Sequence, residues 1–147
     1  MTNKKEGSDY DKYIADKPYK LGFFAHLLQG NKSGQPFDII LARNNKCYFA
    51  DCKVCHSERF PLKRIEPNQR SAFNLLHKVG CDKAFIICGF DFEGITKGSG
   101  EKYRNMYLPY SYVKKQIEKG ESSLPFESWL ELDNMYGNII IGECVKW

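Results

Sequence analysis

Short apolar runs alternate along this chain with polar breaks marked by glycine or proline, the pattern of strands and helices taking turns around one sheet. Leu21 to Leu28, Phe37 to Ala42, Cys47 to Val54, Lys83 to Phe90 and Asn105 to Leu108 are apolar enough to predict strands. Glu66 to Val79 reads as a helix. Pro67 stands in its first turn, Ala72, Leu75, Leu76 and Val79 recur at helical spacing, and Gly80 supplies the stop. Tyr112 to Lys119, closed by Gly120, predicts a shorter helix, Pro125 to Leu130 another, and Asn138 to Ile141 a last strand. Residues 1–18 are polar and end at Pro18, so they predict an arm or short helix whose apolar stripe is Tyr10, Tyr13 and Ile14. Gly30 to Gly34 and Asp91 to Gly100 are loops. The expectation is one mixed α/β domain over 1–147, with a core at 21–112 and helices plus a last strand at 113–147.

The stretch from Phe37 to Lys53 carries the candidate chemistry. Asn tolerates the positive φ of a two-residue hairpin turn, so Asn44-Asn45 is the natural reversal. Arg43 then pairs with Lys46, and counting outward sets Asp38 opposite Asp51. Directly opposed side chains share a face at roughly 5 Å, where two like charges repel. A divalent cation reverses that sign, and Mg²⁺ takes hard carboxylate oxygens. Lys53 projects from the same face as Asp51 because side chains alternate along a strand. Ile40, Ala42, Cys47 and Phe49 share that face, so it is expected to be the core face, with two acids and an amine at its open end. An ordinary strand-end salt bridge fits the spacing equally well. Gln69, three residues before Ala72 and seven before Leu76, lies on the buried stripe of its helix and needs a polar partner there. The acid pair is within reach of such a helix start.

Charge adds a second signal. The chain carries 22 Lys and Arg against 18 Asp and Glu, a net charge of only +4. Between Lys53 and Arg70, however, five basic residues (Lys53, Arg59, Lys63, Arg64, Arg70) face two acids, Glu58 and Glu66. Such local density beside a carboxylate pair suits a polyanion, whose binding is driven by charge neutralisation and counterion release. Lys32 and Ser33, in a glycine-bounded loop just before Asp38, suit a phosphate grip. No base-reading motif accompanies them, which points to recognition of backbone and shape.

Apolar residues are 42% and charged residues 27% of the chain, as in folded proteins. No apolar run approaches a membrane span, and Met1 to Asp11 lacks the hydrophobic stretch of a signal peptide, so no membrane partner is expected and the expected compartment is cytoplasmic. The six cysteines then read as reduced thiols filling apolar space. Cys52, Cys55 and His56 formally match a haem-attachment pattern, but that chemistry belongs to exported chains. A zinc site drawn from Cys52, Cys55, His56, His77, Cys81 and Cys88 requires the strand to end at Val54, since residues three apart on a strand face opposite sides.

Asp51-Cys52-Lys53, followed in order by Phe60-Pro61-Leu62-Lys63-Arg64-Ile65 and Asn68-Gln69, resembles the PD-(D/E)XK nuclease superfamily, and within it the RecU-like Holliday junction resolvases. The later strand Ala84 to Ile87 and the turn Tyr107-Leu108-Pro109-Tyr110 extend the likeness, which spans Lys32 to Tyr112. The resemblance implies a restriction-endonuclease-like fold, a central mixed β-sheet flanked by helices. It implies a Mg²⁺-dependent endonuclease, with Mn²⁺ able to substitute, acting on branched DNA as a homodimer. Asp38, Asp51 and the Cys52 main-chain carbonyl would be metal ligands, Lys53 the catalytic lysine and Gln69 an orienting residue. Relatives also carry an acid on the first helix, for which Glu6, Asp9, Asp11 and Asp16 are candidates. Position 51 is Asp where relatives more often have Glu, Pro36 stands two residues before Asp38, and the 37 residues preceding Asp38 make a short arm. The alternatives are a restriction- or repair-type nuclease of the same superfamily, or a DNA-binding relative without catalysis.

Overall fold

Strand β5 (Ala84–Phe90) is buried along its whole length, as a strand covered on both faces must be, and the sheet extends outward from it. The computed structural model describes residues 3–28 and 35–142, so Lys32, Ser33 and Cys144 lie outside the described residues. On one side, β5 pairs in parallel with β3 (Lys46–Cys55), β3 antiparallel with β2 (Ile39–Arg43), and β2 antiparallel with edge strand β1 (Phe24–Leu27). On the other side lie β6 (Arg104–Pro109) and the short β8 (Leu130–Glu131), both antiparallel. A separate ribbon pairs β4 (Arg59–Pro61) with β7 (Ser123–Pro125). Four helices flank this six-stranded mixed sheet: α1 (Asn3–Lys20), α2 (Pro67–Lys78), α3 (Tyr110–Glu118) and α4 (Leu132–Ile141).

The two faces of the sheet carry separate cores. Tyr10 and Ile14 of α1 and Leu132, Met135, Tyr136 and Ile139 of α4 pack with Ile39, Leu41, Tyr48, Ala50, Cys52 and Val54. Phe73 of α2 and Tyr110 and Val113 of α3 pack on the other face with Cys55, Ile86, Cys88 and the ribbon's Phe60 and Leu124. Gly89 permits the close seating of α1, because a Cβ there would lie 2.6 Å from the Tyr10 ring. Gly89→Ala is therefore expected to destabilise the protein by about 1–3 kcal/mol. Thermal unfolding checks this, and an unchanged midpoint would contradict the seating described.

Asn44 and Asn45 both have positive φ, 55° and 65°, and the β2–β3 ladder runs in the expected register from Arg43↔Lys46 to Ile39↔Ala50. Three expectations are corrected. The deeply buried face of this hairpin is the one bearing Ile39, Leu41, Tyr48 and Ala50, not the face of Ile40, Ala42, Cys47 and Phe49. Cys47 is exposed and Ile40 and Ala42 are half-buried, because α1 and α4 pack on the opposite side. Asn138 to Ile141 is not a strand but the end of α4, whose apolar stripe begins at Leu132 and stops at Gly142, φ 82°. A four-residue apolar run fits either element, and the longer stripe decides. Pro125 to Leu130 forms only a 3₁₀ turn, Phe126–Ser128, set between β7 and β8.

The arm is also more ordered than expected, a helix of 18 residues that carries Pro18 in its last turn. Strand β3 runs on through Cys55, so Cys52 and Cys55 fall in opposite cores and do not chelate one ion together. Among the described residues, no helix is long and apolar enough to cross a membrane.

Candidate active site

Asp51 is fully buried in the middle of β3, on the face toward α2. Its Oδ1 accepts a hydrogen bond from Gln69 Nε2 at 2.7 Å, while Lys53 Nζ stands 3.3 Å from its Oδ2 and donates to Gln69 Oε1 at 3.1 Å. Gln69 occupies this position because it also closes the N-terminus of α2. Its Oε1 accepts from the Glu66 main-chain N–H in a reciprocal capping box. One glutamine thus fixes the helix start, the acid and the lysine together. The partner that its place on a buried stripe requires is Asp51.

Asp38 lies one residue ahead of the β2 ladder, its N–H bonded to the Ala50 carbonyl. Its Oδ2 accepts from the Cys52 main-chain N–H at 2.7 Å and its Oδ1 from Gln35 Nε2 at 3.1 Å. The first helix supplies a further acid. Carboxylate oxygens of Asp11 and Asp38 and the Cys52 Sγ all lie within 4.8 Å of one another. Of the four candidate acids on α1, Asp11 reaches the site, Asp9 and Asp16 are exposed, and Glu6 bonds His56 Nε2 at 2.7 Å on the rim. The sequence does carry a signal for Asp11. Gly7, Asp11, Ile14 and Pro18 recur at helical spacing, so Asp11 rides the same stripe as the buried Ile14. Gln35 carries no such signal, because it belongs to no periodic element.

A cavity of about 770 Å³ is lined among others by Asp11, Lys12, Asp38, Lys53, Arg64 and Gln69, and Asp51 is buried against its Lys53 and Gln69. Its electrostatics are those of crowded, desolvated carboxylates. Burial, followed by the nearby Asp38 charge, pushes the Asp11 carboxyl up to about 8, against the opposing pull of Lys53. Burial likewise holds Asp51 well above the usual carboxylate range, with Lys53 opposing and Asp38 reinforcing the shift. Burial raises the Cys52 thiol as well, so it stays protonated beside the acids. Asp51 Oδ2 is buried, and among the described residues it faces the Lys53 ammonium at 3.3 Å but accepts no well-formed hydrogen bond. Crowded carboxylates and an under-satisfied buried carboxylate oxygen fit a hard divalent cation, and the oxygen donors suit Mg²⁺ or Mn²⁺.

The basic residues expected to touch DNA divide into two groups. Arg59 is engaged by Ser123 in the β4–β7 ribbon, and Arg70 holds the carbonyls of Ile65 and Leu62 at 2.9 and 2.7 Å. Arg64 bonds the Val54 carbonyl at 2.5 Å and still lines the cavity, and Lys63 is exposed.

This fold has a counterpart among solved structures. The chain is similar to Hjc, a Holliday junction resolvase from the archaeal hyperthermophile Archaeoglobus fulgidus. The TM-score is 0.59 over 88% of this chain and 98% of that one, at 14% sequence identity. The architecture is therefore restriction-endonuclease-like, as the resemblance of motifs implied. No protein-family model and no curated sequence matches the chain.

Proposed function

We propose that this protein is a divalent-metal-dependent endonuclease that hydrolyses phosphodiester bonds in branched DNA, Holliday junctions first among them. The observation that carries this reading is the convergence of Asp11, Asp38, Lys53 and Gln69 on one cavity, with the buried Asp51 held by Lys53 and Gln69, in a fold shared with a junction resolvase. Asp38 and Asp51 would hold Mg²⁺ or Mn²⁺, with Asp11 and the Cys52 main-chain carbonyl as further donors. When bound, the cation polarises the phosphate and makes water a stronger nucleophile.

The chain's own groups do the remaining work. Lys53 has three N–H donors, and two face Gln69 Oε1 and Asp51 Oδ2. The third is available to a phosphate oxygen or to the attacking water, where its charge offsets the developing negative charge. Gln69 holds Asp51 with a neutral amide, which orients the carboxylate without cancelling its charge. Lys12, Lys63 and Arg64, with Lys32 and Ser33, which lie outside the described residues, supply phosphate contacts along the DNA. Arg59 ties the β4–β7 ribbon together at Ser123, and Arg70 supports the turn before α2. A resolvase cuts two symmetry-related strands, so the working unit is a homodimer with two such cavities.

The test is a cleavage panel: labelled four-way junction, linear duplex and single strand, each in Mg²⁺, Mn²⁺ and EDTA. Paired nicks on the junction alone, present with either metal and absent in EDTA, are expected. Cleavage of all three substrates would keep the nuclease and remove junction selectivity. Binding without cutting under every metal would overturn the catalytic reading.

A further inference from the structure

Gln35 sits where the first turn of α2 meets the segment entering β2. Its main-chain oxygen accepts a hydrogen bond from Asn68 Nδ2 at 3.2 Å. Two residues on, Phe37 packs against Phe49 and Phe73, with ring centroids 5.1 and 5.3 Å away. The backbone at Gln35 is therefore anchored from both sides, and its side chain is aimed by that anchoring. Nε2 donates to Asp38 Oδ1 at 3.1 Å, which fixes the orientation of the amide. Oε1 is then left buried with no hydrogen-bond partner among the described residues, on a residue that lines the cavity shared by Asp11 and Asp38. Buried acceptors are seldom left unpaired, and each orphan in a folded protein calls for an account.

The two glutamines form a matched arrangement. Gln69 holds Asp51 directly, and its neighbour Asn68 holds Asp38 through Gln35. One helical turn thus sets both acids, using neutral amides throughout. An arginine or lysine at position 35 would orient Asp38 equally well but would cancel the charge that draws a cation. Among the described residues nothing donates to Oε1, and the hydration water of a bound cation is a donor that matches it.

We propose that Gln35 is a positioning residue for the metal site, its Nε2 fixing the Asp38 carboxylate and its Oε1 accepting a hydrogen bond from water on the cation. This rests on the proposed metal-dependent function. Groups that orient metal ligands in this way typically change metal affinity by about 10–100-fold when removed. The assignment is tested by calorimetric titration of Mn²⁺ into wild type, Gln35→Leu and Asn68→Ala, with thermal midpoints and the Mg²⁺ dependence of junction cleavage measured alongside. Gln35→Leu is expected to weaken Mn²⁺ binding about tenfold or more and to raise the half-saturating Mg²⁺ concentration by a similar factor. DNA binding in EDTA is expected to stay at the wild-type level. Asn68→Ala is expected to move both metal readouts the same way by less.

Wild-type metal affinity and Mg²⁺ dependence in a folded Gln35→Leu would overturn the assignment. So would a fall in rate at saturating metal with no change in affinity. If Gln35→Leu unfolds, Asn68→Ala decides, and a wild-type metal titration in that variant overturns the proposal. A wild-type protein that binds no Mn²⁺ and cuts no DNA would instead overturn the proposed function, and this inference with it.

Discussion

Replacing Asp51 with asparagine is expected to abolish DNA cleavage, with a loss of at least about a hundredfold, while the chain remains folded. The side chain keeps its volume, and its amide oxygen still accepts from Gln69 Nε2, so the capping box at the start of α2 survives. The other end changes sign. An amide nitrogen replaces Oδ2 and turns a donor toward the Lys53 ammonium, which in the native site stands 3.3 Å from that oxygen. The carboxylate oxygen and the placement of Lys53 against it are lost together. Lys53→Ala separates the two effects. It is expected to cut at least about a hundredfold more slowly while still binding Mn²⁺, because it removes a charge-stabilising donor and no ligand. Calorimetric metal titration and single-turnover cleavage on both variants check this. Metal binding retained by Asp51→Asn, or lost by Lys53→Ala, would reverse the assignments.

The second large effect is a gain in stability. Asp11→Asn is expected to stabilise the protein in EDTA at pH 8 and to remove most of the stabilisation that Mg²⁺ gives the wild type. The sign follows from the raised carboxyl. A group whose folded value of about 8 lies far above the ordinary 3.8 contributes stability at low pH and loses it as the pH rises between those values. Wild type in EDTA should therefore lose stability from about pH 4 to pH 8, and the asparagine variant should lose less. The difference at pH 8 is about 1–3 kcal/mol, below the full linkage value because this carboxyl keeps partial contact with water. Chemical denaturation at several pH values, with and without Mg²⁺, measures it. An Asp11→Asn variant less stable than wild type in EDTA would show that Asp11 is held by a favourable partner rather than crowded by Asp38.

Much of this site is legible in the amino-acid order, for local reasons. Asn44-Asn45 dictates a turn of positive φ, and a turn of two residues dictates register, so counting along the hairpin brings Asp38 and Asp51 together. Gln69 is legible because a polar side chain on an apolar helical stripe demands a partner. What stays hidden depends on packing between distant elements. Which side of the β2–β3 hairpin is deeper is decided by where α1 and α4 land, and the alternation within the hairpin does not contain that information. Asp11 shares a helical stripe with Ile14, but that this stripe faces the acids of β2 and β3 follows only once the Tyr10 and Ile14 face of α1 is placed against the sheet. Gln35 sits in an irregular segment, where no periodicity marks which way a side chain points. The role of Arg70 is obscured differently. In sequence it is one charge in a basic cluster, whereas in the fold it supports two carbonyls of the turn that leads into α2.

The central claim, that these carboxylates bind a divalent cation, is tested most directly by anomalous X-ray diffraction from crystals grown with Mn²⁺. The expected result is an anomalous peak in contact with the carboxylates of Asp38 and Asp51, and its disappearance in Asp51→Asn crystals grown in the same way. No peak at that position at saturating Mn²⁺, or an undiminished one in the variant, would contradict it.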